Sequence, residues 1–286
     1  MLKSFVYNKN SLALGVAKIV KLFRLAIGVV LCLGLILSSG GLVQAQGLEG
    51  TIKLSGSTSL QPVTMKLAEA FGSEHPRVNI SVSGGGSSVG IREVDEGMVD
   101  IGMSSRELTS DDPPLFIHPI CRDGIAIIVN LRNPVGGLTR EQVVRIYTGE
   151  ITDWGEIGGE WEKITVISRE EGSGTRACFD EKVMKERKIF PQSLVYNSNG
   201  IIRTKVAKDP KAIGYVSLGY VSGVKPVAIE GVEPTMDNCK SEDYPLVRRL
   251  LFVTHDEPGG VIKGFIDFCQ GDAGQKIVAE AGYVTL

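Results

Sequence analysis

Three times in this 286-residue chain a short β-favouring run ends in a stretch of Ser, Thr and Gly, and a helical pattern takes over. The first is TIKLS at 51–55, then Gly56, Ser57, Thr58 and Ser59, then Leu60, Val63, Leu67 and Phe71 at spacings of three and four. The second is VNISV at 78–82, then Gly84, Gly85, Gly86, Ser87 and Ser88, with a helix expected over 88–97 and ending at Gly97. The third is ITVIS at 164–168, then Arg169, Glu170, Glu171, Gly172, Ser173, Gly174 and Thr175, with a helix expected over 174–188. Strands that repeatedly lead into helices give an α/β fold with largely parallel sheets, and their loops line one crevice at the carboxyl edge of the strands.

The rest of the chain fits that frame. Asp100–Met103, Gly124–Asn130, Ile213–Val216 and Leu250–Thr254 read as strands. Helices are expected over 139–147, capped by Thr139, over 201–208, and twice more after Gly259 and Gly271. With 43% apolar residues the chain can bury a sizeable core. No internal repeat is visible, and no Pro/Gly/Ser linker separates two domains. That pattern fits a chain that crosses between two lobes more than once.

The three loops share one chemistry. A helix begins with unpaired N–H groups and about half a positive charge, glycine lets the backbone approach a ligand, and Ser and Thr hydroxyls donate further hydrogen bonds. Such an end takes an anion. A lone Ser or Thr at a helix start is commonly just a cap. Three such loops in one chain, one with an arginine, point past capping to an oxyanion. Arg169 offers two parallel N–H donors for a tetrahedral anion. Glu171, two residues on, either fixes that guanidinium or faces solvent. A fourth stretch, Asp100 to Arg106 (DIGMSSR), either faces the same crevice or is a strand followed by an ordinary turn.

Other chemistries find no support. There is no GxxxxGK[ST] loop for nucleotide hydrolysis. The three histidines, His75, His118 and His255, stand before prolines or in a turn, so no Ser–His pair is suggested and the chain does not read as an enzyme. No CxxC or Cys/His cluster has metal-ligand spacing, and no cofactor is implied. Cys121, Cys178, Cys239 and Cys269 allow three full pairings; Cys239 with Cys269 is the favoured one, and free buried thiols are the alternative.

The first 45 residues stand apart. Lys3, Lys9, Lys18, Lys21 and Arg24 come with no acidic residue, Leu25–Leu37 carries no charge, and Val43-Gln44-Ala45 offers small residues for a peptidase. This is the layout of a secretory signal peptide; the apolar run is too short for the ~20 residues of a spanning helix. Cleavage after Ala45 leaves 26 basic against 33 acidic residues. A chain that acidic has no basic stripe for nucleic acid, so its anion site must be built locally.

Several blocks resemble, in order, the phosphate-binding proteins of bacterial and archaeal phosphate ABC transporters. They are SGSTSLQPV at 55–63, GGGSSVGI at 84–91, VDIGMSSREL at 99–108, DGIAIIVNLRNPV at 123–135, LTREQVVRIYTGEITDW at 138–154, REEGSGTR at 169–176 and AIGYVSLGYV at 212–221. REEGSGTR and GEITDW are the most specific. The resemblance implies a two-lobed periplasmic-binding-protein fold, with the cleft between lobes joined by two crossing segments. By that analogy residues 46–123 plus 229–286 form lobe one and 124–228 lobe two. It implies inorganic phosphate as ligand, a transmembrane permease as partner and a monomer; sulfate, molybdate or tungstate is the alternative. Family contacts carry over to Ser57, Thr58, Ser59, Ser87, Arg169, Ser173, Gly174 and Thr175, with Gly86 supporting and Glu171 matching the acid that braces the arginine. Ser105 takes the position at which the best-known members carry an aspartate that accepts the phosphate proton.

Overall fold

The computed structural model describes residues 47–286; the expected signal peptide lies outside the described residues. In chain order the strands are β1 Gly50–Gly56, β2 Val78–Val82, β3 Ile101–Ser104, β4 Phe116–Val129, β5 Gly137–Leu138, β6 Thr165–Arg169, β7 Leu194–Tyr196, β8 Ala212–Ser217, β9 Lys225–Pro226, β10 Ala228–Ile229 and β11 Val247–Thr254. The helices are α1 Gln61–Glu74, α2 Ser87–Asp95, α3 Arg140–Tyr147, α4 Gly174–Phe179, α5 Asn199–Lys208, α6 Met236–Lys240, α7 Gly260–Gln270 and α8 Asp272–Glu280. No helix of the described residues is long and apolar enough to cross a membrane.

The fold is α/β and two-lobed, around two large cores, with a small third cluster of Ile91, Val94 and Val253. One core gathers Ile52, Leu54, Leu67, Phe71, Met103, Leu250, Phe252 and Phe265; the other gathers Ile125–Val129, Tyr147, Phe179, Ile202, Ile213 and Tyr215. Burying each such Val, Leu, Ile or Phe side chain contributes roughly 1.5–3 kcal/mol. The strands run β2-β1-β3-β11-β4-β8-β6-β7, with β9 also beside β4. The three strands that end in Ser/Thr/Gly loops behave as expected: β1 pairs in parallel with β2 and β3, and β6 with β7 and β8.

The centre departs from a largely parallel sheet. β11 is antiparallel to β3 and β4, and β4 is antiparallel to β8 and β9. β4 is also twice its expected length. Up to Gly124 it pairs with β11, and from Ile125 it pairs with β8, so one strand belongs to both halves. Its outer part carries His118, Pro119 and Arg122, which break the apolar run, so the sequence pattern marks only the inner half. Pro119 is tolerated because the register slips there, between Leu250 and Leu251. The segment after lobe two returns late: Cys239, Tyr244 and Leu246 still pack in the second core.

α3 begins as expected, with Thr139 and Gln142 forming a reciprocal capping box. The helix expected over 174–188 is shorter. α4 passes into a π-helical turn at Asp180–Met184, and Lys185 at φ 56° stops it. The cysteine pairing is corrected. All four cysteines of the described residues are free and buried, with Cys269 in the first core and Cys239 in the second.

Candidate anion-binding site

The hydroxyls of the first two loops are not used to cap their helices. α1 starts behind Leu60 and α2 behind Gly86, neither giving a side-chain cap. Gly86 has φ 98°, a backbone that L side chains rarely adopt, and this turns Ser87 into the cleft side of the helix start. Ser173 does cap α4, its Oγ accepting from the Arg176 N–H at 3.2 Å. That leaves the Ser173 O–H free to donate.

The fold brings the loops together. A methyl on Gly174 would stand 2.3 Å from Ser87 Oγ and 2.7 Å from Ser105 Oγ, so the start of α4 abuts both. The Ser88 N–H donates to Gly172 O at 3.1 Å, and Ser59 Oγ lies 3.0 Å from Thr175 Oγ1. Ser87 Oγ accepts from the Ser105 N–H at 3.0 Å and lies 3.3 Å from Ser105 Oγ. The DIGMSSR stretch therefore faces the same cleft. Thr58, Ser59, Ser87, Ser105, Ser173 and Thr175 are all buried. Ser57 is buried too, but its hydroxyl oxygen is engaged locally by the Ser59 N–H at 3.2 Å.

Arg169 ends β6 and is 1% exposed. Its brace is Glu170: Nε donates to Oε2 at 2.9 Å and Nη2 to Oε1 at 2.8 Å. This corrects the assignment of that role to Glu171, which is exposed. The adjacent residue wins because β6 ends at Arg169 and the turn brings the Glu170 carboxylate back along the guanidinium edge. The opposite edge is open. Nη1 is buried with no hydrogen-bond partner among the described residues. Leaving such a group unpaired costs about 1–3 kcal/mol or more, which an anion would offset.

Behind the arginine the support is rigid. The Arg169 N–H donates to the Tyr215 hydroxyl at 3.1 Å, and that hydroxyl shares a 2.9 Å hydrogen bond with Ser168 Oγ. Arg176 Nη1 donates to Ser168 Oγ at 3.0 Å and to Arg169 O at 3.1 Å. Tyr215 stacks on Phe179 with centroids 4.1 Å apart, and burial pushes its hydroxyl up to about 12, so it stays neutral.

Four functional residues were not legible in the sequence. Arg248 on β11 donates from Nε and Nη2 to Asp123 Oδ2 at 3.1 and 2.7 Å, from Nη1 to Ser105 O at 3.2 Å, and from Nη2 to Ser59 Oγ at 2.9 Å. Asp123 sits where β4 passes between the halves, and its Oδ1 accepts from Ser217 Oγ and the Leu218 N–H. Burial raises the Asp123 carboxyl, with Arg248 pulling the other way. Asn199 at the start of α5 donates from Nδ2 to Thr58 Oγ1 at 3.1 Å and Ser59 Oγ at 3.0 Å. Tyr220 donates to Thr58 O at 2.9 Å. Only Asp123 had a signal, as a charge at the edge of the apolar run GIAIIVN. Arg248 is one of two adjacent arginines, and nothing in their order says which turns inward.

Each buried arginine is matched by its own carboxylate, so the pocket attracts an anion chiefly through oriented N–H and O–H donors. The histidines lie elsewhere. His75 packs on Phe71, His118 Nε2 meets Thr254 Oγ1, and His255 faces Asp256; none hydrogen-bonds to a hydroxyl of the site.

A family model described as a PBP superfamily domain matches residues 43–273. The phosphate-binding protein PstS of Bacillus subtilis (strain 168) is 33% identical over 242 residues, covering 82% of this chain and 80% of that one. The chain belongs to the PstS family. Among solved structures, a substrate-binding protein from Clostridium perfringens with bound phosphate is 40% identical, with a TM-score of 0.80, over 83% of this chain and all of that one. An ABC-type phosphate transport receptor from Vibrio cholerae is 37% identical, with a TM-score of 0.69, over 82% of this chain and all of that one.

Proposed function

We propose that this chain captures inorganic phosphate outside the cytoplasmic membrane and delivers it to the permease of an ABC transporter. The observation that carries the reading is Arg169: a guanidinium 1% exposed, braced on one edge by Glu170, with Nη1 left without a partner. A buried unpaired cationic donor among buried hydroxyls has little use except to meet an anion. The ligand contacts are Ser57, Thr58, Ser87, Ser105, Arg169, Ser173, Gly174 and Thr175; Ser59, expected among them, stands behind them, with its N–H engaged by Ser57 and its hydroxyl by Arg248, Asn199 and Thr175. Residues 46–123 plus the stretch from Val247 onward form one lobe and residues 124–246 the other, the expected boundary at 228 moving because Ile229, Cys239, Tyr244 and Leu246 pack in the second core; the lobes close on the ligand, hinged at the Asp123–Gly124 crossing. The chain acts as an exported monomer after cleavage near Ala45, in the periplasm or on the outer face of the membrane, and as a carrier it needs no chemical step.

Ser105 supports a second reading, a receptor of broader oxyanion range, since no carboxylate stands there to repel an unprotonated anion. Calorimetry on protein stripped of ligand decides between them, with phosphate, sulfate, molybdate and tungstate in turn. Phosphate as the tightest ligand is the expected result. Tighter binding of another oxyanion would transfer the function to that one, and no binding of any would end the proposal.

A further inference from the structure

Ser59 Oγ has three polar neighbours: Arg248 Nη2 at 2.9 Å, Asn199 Nδ2 at 3.0 Å and Thr175 Oγ1 at 3.0 Å. The first can only donate, because a guanidinium has no acceptor. The second also donates, and its orientation is not arbitrary. Asn199 Oδ1 lies 3.1 Å from the Ser217 main-chain nitrogen, a group that can only donate, so the carbonyl end of the amide must face Ser217 and the NH2 end must face Ser59. Two donors therefore fill both lone pairs of Ser59 Oγ. Its own hydrogen has one acceptor left, Thr175 Oγ1.

The consequence reaches the ligand. Thr175 Oγ1 accepts from Ser59, so the Thr175 O–H must point elsewhere. Thr175 is 1% exposed, and its hydroxyl has no other hydrogen-bond partner among the described residues. Thr58 Oγ1 likewise accepts from Asn199, which turns its hydrogen away from that amide.

We propose that Arg248 and Asn199 are positioning residues for the anion site, which act through Ser59 to hold the Thr175 hydroxyl as a donor aimed at the bound oxyanion. The inference rests on the reading of this cleft as a phosphate site. Neither positioning residue needs to touch the ligand. Asp123 keeps Arg248 in place from behind, and Ser217 does the same for Asn199. Because the hydrogen is oriented before the ligand arrives, no reorganisation of that hydroxyl opposes binding.

A double-mutant cycle on phosphate affinity, read by calorimetry, tests the relay. Ser59→Ala is expected to weaken phosphate binding by about tenfold in the otherwise unchanged chain. In a Thr175→Val background, which removes the hydroxyl at nearly constant shape, the same change is expected to cost under about twofold. A merely structural role for Ser59 would give the same loss in both backgrounds, and that result overturns the relay. So does a Ser59→Ala chain that binds as well as the original. Thermal melting of each variant checks the fold; if Ser59→Ala melts too low to assay, Ser59→Cys keeps the shape while weakening all three hydrogen bonds, and the same pattern is required of it. An unmodified chain that does not bind phosphate takes down the reading of the site and the relay with it, whereas equal losses in both backgrounds with normal phosphate binding remove the relay alone.

Discussion

Two buried arginines, Arg248 on β11 and Arg169 at the end of β6, have opposite characters. Arg248, at the crossing between the halves, has a partner at every guanidinium nitrogen: Asp123, Ser59 and Ser105 accept from it, and Asp123 is itself fully buried. Arg169, in the lobe-two loop, is as deeply buried, yet its carboxylate partner Glu170 is a quarter exposed and Nη1 is unpaired. A saturated ion pair organises structure, and an unsaturated one reserves a donor. Burial alone does not separate the two roles; the count of satisfied donors does.

The comparison breaks most visibly if Arg248 is removed. Arg248→Ala strands the Asp123 carboxylate in the interior and is expected to destabilise the fold by about 3–5 kcal/mol, measured by urea denaturation. Arg169→Ala should do the reverse. It is expected to cost on the order of 2–5 kcal/mol of phosphate binding, with a smaller change in unfolding free energy. Equal effects of the two changes on stability and on binding would erase the distinction. Ser173→Ala removes both a cap and a ligand donor, and should weaken phosphate by about 1–3 kcal/mol in the same calorimetric assay.

A third arginine pair sharpens the contrast from the rim. Arg106 holds Asp112 at 2.6 and 2.8 Å, and this keeps the Asp112 carboxyl at about 2. A carboxyl lowered on folding contributes stability that is full above its unfolded value near 3.8 and fades as pH falls towards 2. Asp112→Asn is therefore expected to cost about 1–2 kcal/mol at pH 6, with about half of that difference gone at pH 3, followed by denaturant titration at each pH. The smallest effect concerns selectivity. Ser105 carries only a hydroxyl, facing Ser87 Oγ across 3.3 Å, with neither lone-pair set fully committed. Ser105→Asp gives the anion site a carboxylate of its own and should raise the phosphate-to-sulfate preference by up to about tenfold, near 1.4 kcal/mol, with binding favoured at lower pH. Competition calorimetry at several pH values reads this; unchanged preference would place the proton acceptor elsewhere.

The sequence by itself determined the local elements and the kind of ligand. Three strand-to-loop-to-helix units, an arginine inside a Gly/Ser loop and a chain acidic beyond its first 45 residues specify an α/β fold with a locally built anion site, because periodicity and donor chemistry are properties of neighbouring residues. Only the tertiary structure decided which carboxylate meets which arginine. Glu170 rather than Glu171 braces Arg169 through the direction of a turn, and Asp123 meets Arg248 across 125 positions of sequence. The direction of the Ser59 hydrogen was likewise undetermined until Arg248 and Asn199 arrived from distant segments. Hydrogen-bond polarity in a buried cluster depends on how many pure donors converge on one oxygen, and that count exists only once the chain has folded.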